Sequence, residues 1–258
     1  MDFEIIKAGT ITDVPEFFAG SAHCGLKRKS KRDDICIIYT PRDTVTSAVF
    51  TTNSFAAAPV LIGKQKLAGS RNIKGIVVNA GIANACTGQK GYNNCIQTIN
   101  TAADYLQISQ EEVLATSTGI IGKQLPMKII KNGIKVCSQR LSREGGHIAA
   151  GAILTTDKMK KEIAVKLNIE NGKDIVVGGI AKGSGMIEPN MATMLAFLTT
   201  NAELDARLLD KLLLEGVQDS FNAITVDGCQ STNDMVTVQA NGESGVRMRF
   251  REPLFQCF

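Results

Sequence analysis

The stretch Lys182-Gly183-Ser184-Gly185-Met186-Ile187-Glu188-Pro189-Asn190-Met191-Ala192-Thr193-Met194-Leu195 runs a glycine-rich polar loop directly into an apolar segment that continues to Leu198. A short apolar run bounded by such a loop reads as a buried strand, so this region commits the chain to a sheet with a loop at its mouth. Thr193 stands at the junction, after the small residue Ala192. One reading makes Thr193 ordinary strand edge or turn. The other makes it a nucleophile, freed as a new N-terminus when the Ala192–Thr193 bond is cut. A threonine hydroxyl attacks poorly until a base takes its proton, and the residue's own α-amine can be that base. The stretch alone leaves both readings open.

Further strands are expected along the chain. Ile35 to Thr40 and Ser47 to Thr52 are short, apolar and β-branched, with Pro41-Arg42-Asp43 as turn chemistry between them. Residues 74–81, 163–165, 175–181, 224–229 and 235–240 read the same way, and the first ninety residues look β-rich. Helices are predicted over about 92–106, 127–141 and 145–154. Leu204, Leu208, Leu209, Leu212, Leu213 and Val217 recur at spacings of three and four, the mark of an amphipathic helix. Ser109 with Glu112 fits a capping box. The mixture predicts an α+β (mixed α/β) protein. With 258 residues, 44% of them hydrophobic, the core can be that of one large domain or two modest ones.

Three polar segments interrupt these elements. The small-residue loop Gly81 to Gly88 can present backbone amides to a substrate or simply make a tight turn. Ala115-Thr116-Ser117-Thr118-Gly119-Ile120-Ile121-Gly122 reads as a donor-rich turn able to hold an oxyanion. Ser231-Thr232-Asn233-Asp234 is either turn capping or the wall of a site.

Several function classes fall away. A net charge of +4, no Trp and three Tyr do not suit a single-stranded nucleic-acid platform, although a small anionic substrate is compatible. The basic run Lys27-Arg28-Lys29-Ser30-Lys31-Arg32 is closed at once by Asp33 and Asp34 and reads as a solvated hairpin tip. Lys182-Gly183-Ser184 places its lysine before the glycine, and Gly122-Lys123-Gln124 lacks the hydroxyl, so neither is a phosphate loop. Seven scattered cysteines without a Cys-x-x-Cys pair, and only His23 and His147, suggest a reducing cytosol and no metal. The N-terminal residues show no signal-peptide pattern and no run approaches a membrane span, so a cytoplasmic protein without membrane contact is expected.

Taken together, the segments resemble one family, the ornithine acetyltransferases (glutamate N-acetyltransferases) of arginine biosynthesis. The resemblance is carried by Ala48 to Asn53 with Ala57 to Val60, Val78 to Gly88, Ser117 to Gly122, Thr155-Thr156-Asp157, Lys182 to Leu195, and Val226-Asp227-Gly228 with Ser231 to Asp234. It spans residues 1 to about 243. It implies a layered αββα sandwich of the self-processing ornithine acetyltransferase and aminopeptidase kind. The precursor would cut itself between Ala192 and Thr193 into an α chain, 1–192, and a β chain, 193–258, assembled as (αβ)2. Thr193 would take the acetyl group of N-acetylornithine and pass it to glutamate. Thr118 and Gly119 match the oxyanion-stabilising pair, and Thr155, Thr156, Lys182 and Thr193 match substrate-contacting positions. No cofactor is implied, though acetyl-CoA can enter as a co-substrate.

Two departures stand beside this. Ile82 occupies a position where the family commonly has Asn. The stretch Arg247 to Phe258 does not resemble the family, whose members continue further and carry additional substrate-binding residues there. A truncated, inactive or partly active paralogue and a related self-processing amidohydrolase or aminopeptidase are therefore the alternatives.

Overall fold

Alternate residues of the longer strands face two different hydrophobic interiors, and this alternation builds the molecule. The computed structural model describes residues 3–27, 30–169, 173–188 and 194–249. In chain order the strands and helices are β1 (Phe3–Ile5), β2 (Phe18–Ala22), β3 (Ile35–Tyr39), β4 (Val45–Phe50), α1 (Ala58–Gly69), β5 (Gly75–Ile82), α2 (Gly88–Leu106), β6 (Val113–Ile120), α3 (Met127–Gln139), α4 (Gly146–Ala152), β7 (Lys161–Ile169), β8 (Lys173–Lys182), β9 (Leu195–Thr200), α5 (Ala206–Asp219) and β10 (Met235–Ala240).

Two sheets form, one ordered β1-β7-β8-β9-β10-β4 and the other β2-β3-β5-β6. Cys36, Ile38, Ile76, Val78 and Leu114 of the smaller sheet meet Ile180, Leu195, Phe197 and Met235 of the larger one. Their strand neighbours Ile35, Ile37, Val77 and Val113 turn outward, onto a cluster completed by Ile99, Ala102 and Ala103 of α2 and Ile130 and Ile134 of α3. On the far side, Val177, Val236 and Val238 pack under Leu208, Leu209, Leu212, Leu213 and Val217 of α5. The layers are helix, sheet, sheet, helix, the expected αββα sandwich. Period two serves the strands and spacings of three and four serve α5, because each element has one face to bury.

The elements depart from expectation in four places. Helix α1 lies within the region read as β-rich. It packs on β6, α2 and β4, so it carries no single apolar stripe, and Gly63 sits against the Phe50 ring where a Cβ would lie 3.0 Å away. Residues 115–120 are strand and not turn: β6 pairs with β5 in parallel, residue for residue, from Gly75↔Val113 to Ile82↔Ile120. Residues 224–229 form no strand, because Ile224 and Val226 are exposed and Val226 bonds only the carbonyl of Ile187. Helix α5 begins after Leu204, where Asp205 caps it by accepting from the Leu208 amide at 2.9 Å.

Candidate active site

The parallel pair β5–β6 ends where Gly81 and Gly119 stand opposite one another. Both have left-handed backbones, φ 122° and 130°. A Cβ on Gly119 would come within 2.2 Å of the Gly81 carbonyl carbon, so the strands pass only because Gly119 lacks a side chain, while a Cβ on Gly81 would meet the Leu26 carbonyl at 2.9 Å. Next to Gly119, the buried Thr118 hydroxyl accepts a hydrogen bond from Lys182 Nζ at 3.2 Å. Lys182 closes β8 in the other sheet, and the contact therefore spans the sandwich. Lys182 is 3% exposed, far from a solvated loop lysine. Burial lowers its pKa, opposed by the negative charges of Asp157 and Asp234.

Two carboxylates hold the glycine-rich loop that follows. Asp157 Oδ1 accepts from the Gly183 amide and from Lys161 Nζ, each at 2.8 Å. Burial alone would raise Asp157, but the bonds from Lys161 and Gly183 and the charge of Lys182 hold it below the usual carboxylate range. At the far end Asp227 accepts the Met186 and Ile187 amides at 2.6 and 2.9 Å, which depresses its pKa as well. Between these anchors the Thr156 and Ser184 hydroxyls meet at 2.6 Å. Thr155 is half-buried and Thr156 exposed.

A cavity of about 870 Å³ opens on this seam. Thr118, Gly119, Thr155, Thr156 and Lys182, from three separate segments of the sequence, all line it. Ala192 and Thr193 lie outside the described residues. Met194, the next residue, donates its amide to Asp234 Oδ1 at 2.8 Å. Asp234 is 1% exposed, and its Oδ2 has no hydrogen-bond partner among the described residues. Burial pushes its carboxyl up to about 7, although the Met194 amide pulls the other way.

The polar segment 231–234 performs both tasks left open for it. Ser231, Thr232 and Asn233 line the cavity. Asn233 Nδ2 also donates to the carbonyls of Ala83 and Ser117, at 2.6 and 2.9 Å, which ties β10 to the ends of β5 and β6. Thr51 and Ala57 secure the same segment through the carbonyls of Ser231 and Thr232.

Lys27 and Asp34, which bound the basic run, depart from its reading as a solvated tip, whereas Lys31 and Arg32 are exposed as that reading expects, and Arg28 and Lys29 lie outside the described residues. Lys27 and Arg32 line the cavity, and Asp34 is wholly buried, accepting from the amides of Cys24, Leu26 and Lys27. Sequence reasoning missed Lys27, Arg32 and Asp157 as parts of the site, and Asp234 as a displaced acid. A buried Asp directly before an apolar strand was the available signal, because it implies that the preceding loop folds onto its carboxylate. Among the described residues no group of three or more His, Cys, Asp or Glu is arranged to hold a metal ion.

A family model, the ArgJ family, matches residues 18–257. The chain belongs to the ArgJ family. The match includes the 247–257 stretch that by itself looked unlike the family, so that expectation is corrected. The chain is 47% identical over 226 residues to an "Arginine biosynthesis bifunctional protein ArgJ" of Caldanaerobacter subterraneus, covering 88% of this chain and 55% of that protein. It spans little more than half the length of the curated relatives it matches. The crystal structure of the Bacillus halodurans protein of the same name superposes with a TM-score of 0.68 at 39% identity, covering 74% of this chain and 98% of that one. The ornithine acetyltransferase of Mycobacterium tuberculosis, solved with ornithine, gives 0.67 at 30% identity, covering 75% of this chain and all of that one. An Ochrobactrum anthropi aminopeptidase with an Ntn hydrolase fold shares the fold alone, with a TM-score of 0.58 at 10% identity and 93% and 76% coverage of the two chains.

Proposed function

We propose that this chain is the acyl-transfer part of an ornithine acetyltransferase in arginine biosynthesis, which cuts itself between Ala192 and Thr193 and carries the acetyl group on Thr193. The supporting observation is the bond from Lys182 Nζ to the Thr118 hydroxyl beside Gly119, at the mouth of the cavity. With Lys182 occupying a lone pair of Thr118 Oγ1, the hydroxyl proton is free to point into the cavity, and a neighbouring cation strengthens it as a donor. Together with the Gly119 amide it would stabilise the oxyanion of a tetrahedral intermediate, an arrangement worth a few kcal/mol.

Thr193 would attack the acetyl carbonyl of N-acetylornithine while its α-amine, with a pKa of ~8, accepts the hydroxyl proton. That proton then leaves with the ornithine amine, and the glutamate amine attacks the acetyl-Thr193 ester to regenerate the hydroxyl. Thr155 and Thr156 would contact the substrate. No cofactor is required, and acetyl-CoA is an alternative acetyl source. The lengths agree with cleavage at this bond: 74% of the 258 residues, the share that matches nearly all of the Bacillus halodurans chain, is close to the extent of residues 1–192. The two pieces would stay together as an (αβ)2 assembly in the cytoplasm.

A denaturing gel with intact mass, run beside a Thr193→Ala variant, tests the proposal. The expected wild-type result is two chains, 1–192 and 193–258, and a single chain in the variant. Brief exposure to N-acetylornithine should then add an acetyl group to the smaller chain, discharged by glutamate. Soluble wild-type protein that stays at full length rules out self-cleavage. An adduct that decays equally fast without glutamate makes the protein a hydrolase.

A further inference from the structure

Lys27 enters the cavity wall from the loop between β2 and β3. Its Nζ donates to two carbonyl oxygens, those of Asp33 at 2.9 Å and Ala152 at 3.0 Å. An ammonium group has three donors, so one is left over. None of the ion pairs among the described residues uses Lys27. The negative charge that acts on it most strongly, Asp34, spends both oxygens on the amides of Cys24, Leu26 and Lys27 itself. The second cavity lysine is placed differently: Lys182 is engaged with Thr118 and has Asp157 and Asp234 as counter-charges. Burial lowers the pKa of Lys27, more than Asp34 offsets, so the site holds a cation that an incoming anion would stabilise.

The position is built. Asp34 folds residues 24–27 over its carboxylate, and the bond to Ala152 joins this loop to the end of α4, two residues before Leu154 and the Thr155–Thr156 pair in the same wall. A lysine fixed at two donors keeps little rotamer freedom, and binding an anion with the third costs correspondingly little ordering.

We infer that Lys27 is a specificity-determining residue that binds the α-carboxylate of the amino-acid substrate, while Lys182 serves the oxyanion side of the cavity. This rests on the acyl-transfer reading, in which donor and acceptor are both amino acids with a free carboxylate. Lys27 sets which molecules enter and in which orientation, and takes no part in bond making.

The test uses N-acetylornithine and its primary carboxamide, which lacks the negative charge. Lys27→Gln is the main variant, because its amide keeps two N–H donors for the Asp33 and Ala152 carbonyls and removes only the charge. A charge-assisted hydrogen bond of this kind corresponds to about a 10- to 100-fold preference. Wild type should favour the acid over the amide by that factor in kcat/KM, with most of it in KM. K27Q should lose the preference by weakening for the acid alone, and Lys27→Arg should restore it. A K27Q enzyme that still prefers the acid overturns the inference. Calorimetric binding of the same two compounds to wild type and K27Q separates this result from the acyl-transfer reading. If wild type transfers no acetyl group yet binds the acid more tightly than the amide only when Lys27 is present, the transferase reading fails and Lys27 keeps its role. If neither compound binds wild type, or both bind K27Q with the wild-type preference, the role of Lys27 is refuted.

Discussion

Asp234 is the residue whose chemistry the fold changes most. In an unfolded chain its carboxyl ionises near 3.8, whereas in the fold burial holds it to about 7. Below pH ~4 the group is neutral in both states and its burial carries no charge penalty. As pH rises from about 4 to 7 the unfolded chain releases the proton and the folded chain keeps it, so folding stability falls, and above about 7 the loss levels off. The full loss is on the order of 4 kcal/mol, from the displacement of the pKa multiplied by about 1.4 kcal/mol per unit. Asp234→Asn keeps the acceptor for the Met194 amide and cannot ionise. Urea midpoints of wild type and D234N measured from pH 4 to 8 should therefore diverge, wild type declining relative to the variant. Parallel profiles would show that Asp234 ionises normally. Gly119 makes a steric prediction at the same scale. Its φ of 130° and its 2.2 Å clearance from the Gly81 carbonyl carbon mean that Gly119→Ala must move one strand end, at a cost of about 3 kcal/mol or more by denaturant unfolding.

At the scale of elements, the site is assembled from ends. The C-terminal ends of β5, β6 and β8 meet the N-terminal ends of β9 and β10, where backbone amides and carbonyls run out of strand partners. Side chains take over: Asp157 and Asp227 collect the amides of residues 183, 186 and 187, and Asn233 collects two carbonyls. Helix α5 lies away from these ends and is held by its cap, its apolar face and the bonds that Ser47 and Arg71 make to Asp210. Asp205→Ala should cost about 1 kcal/mol, read as a lower thermal midpoint, because it orphans the Leu208 amide. It should leave the active-site cavity, and any acetyl transfer, unaltered. This helix was legible in the sequence because its leucines repeat every three or four residues. Helix α1 was not, since three different elements cover it and blur its period.

For the whole molecule the decisive layer is the one between the sheets. Phe197 is fully buried there among residues of both sheets, in a chain where almost every inward position is aliphatic. Phe197→Ala opens a cavity in that layer and should lower stability by about 3–5 kcal/mol in urea unfolding. Since the bond from Lys182 to Thr118 also crosses this layer, loosening the sandwich should weaken the proposed acyl transfer as well as folding.

Short-range pattern determined much of this protein from sequence alone. Alternation announced the strands, leucine spacing announced α5, and the ordered blocks at 117–122, 155–157, 182–195 and 231–234 carried the resemblance to the family to which the chain belongs. Such features depend on residues a few positions apart, whose geometry the backbone sets. Tertiary structure alone decided that Lys182 bonds Thr118 across 64 residues, that Lys27 reaches Ala152 across 125, and that Asp234 is sealed from water beside Met194. Those outcomes follow from which strands pair and which sheet faces meet. The properties that matter for chemistry, the burial of a charge and the partner of a lone donor, do not exist until the layers close.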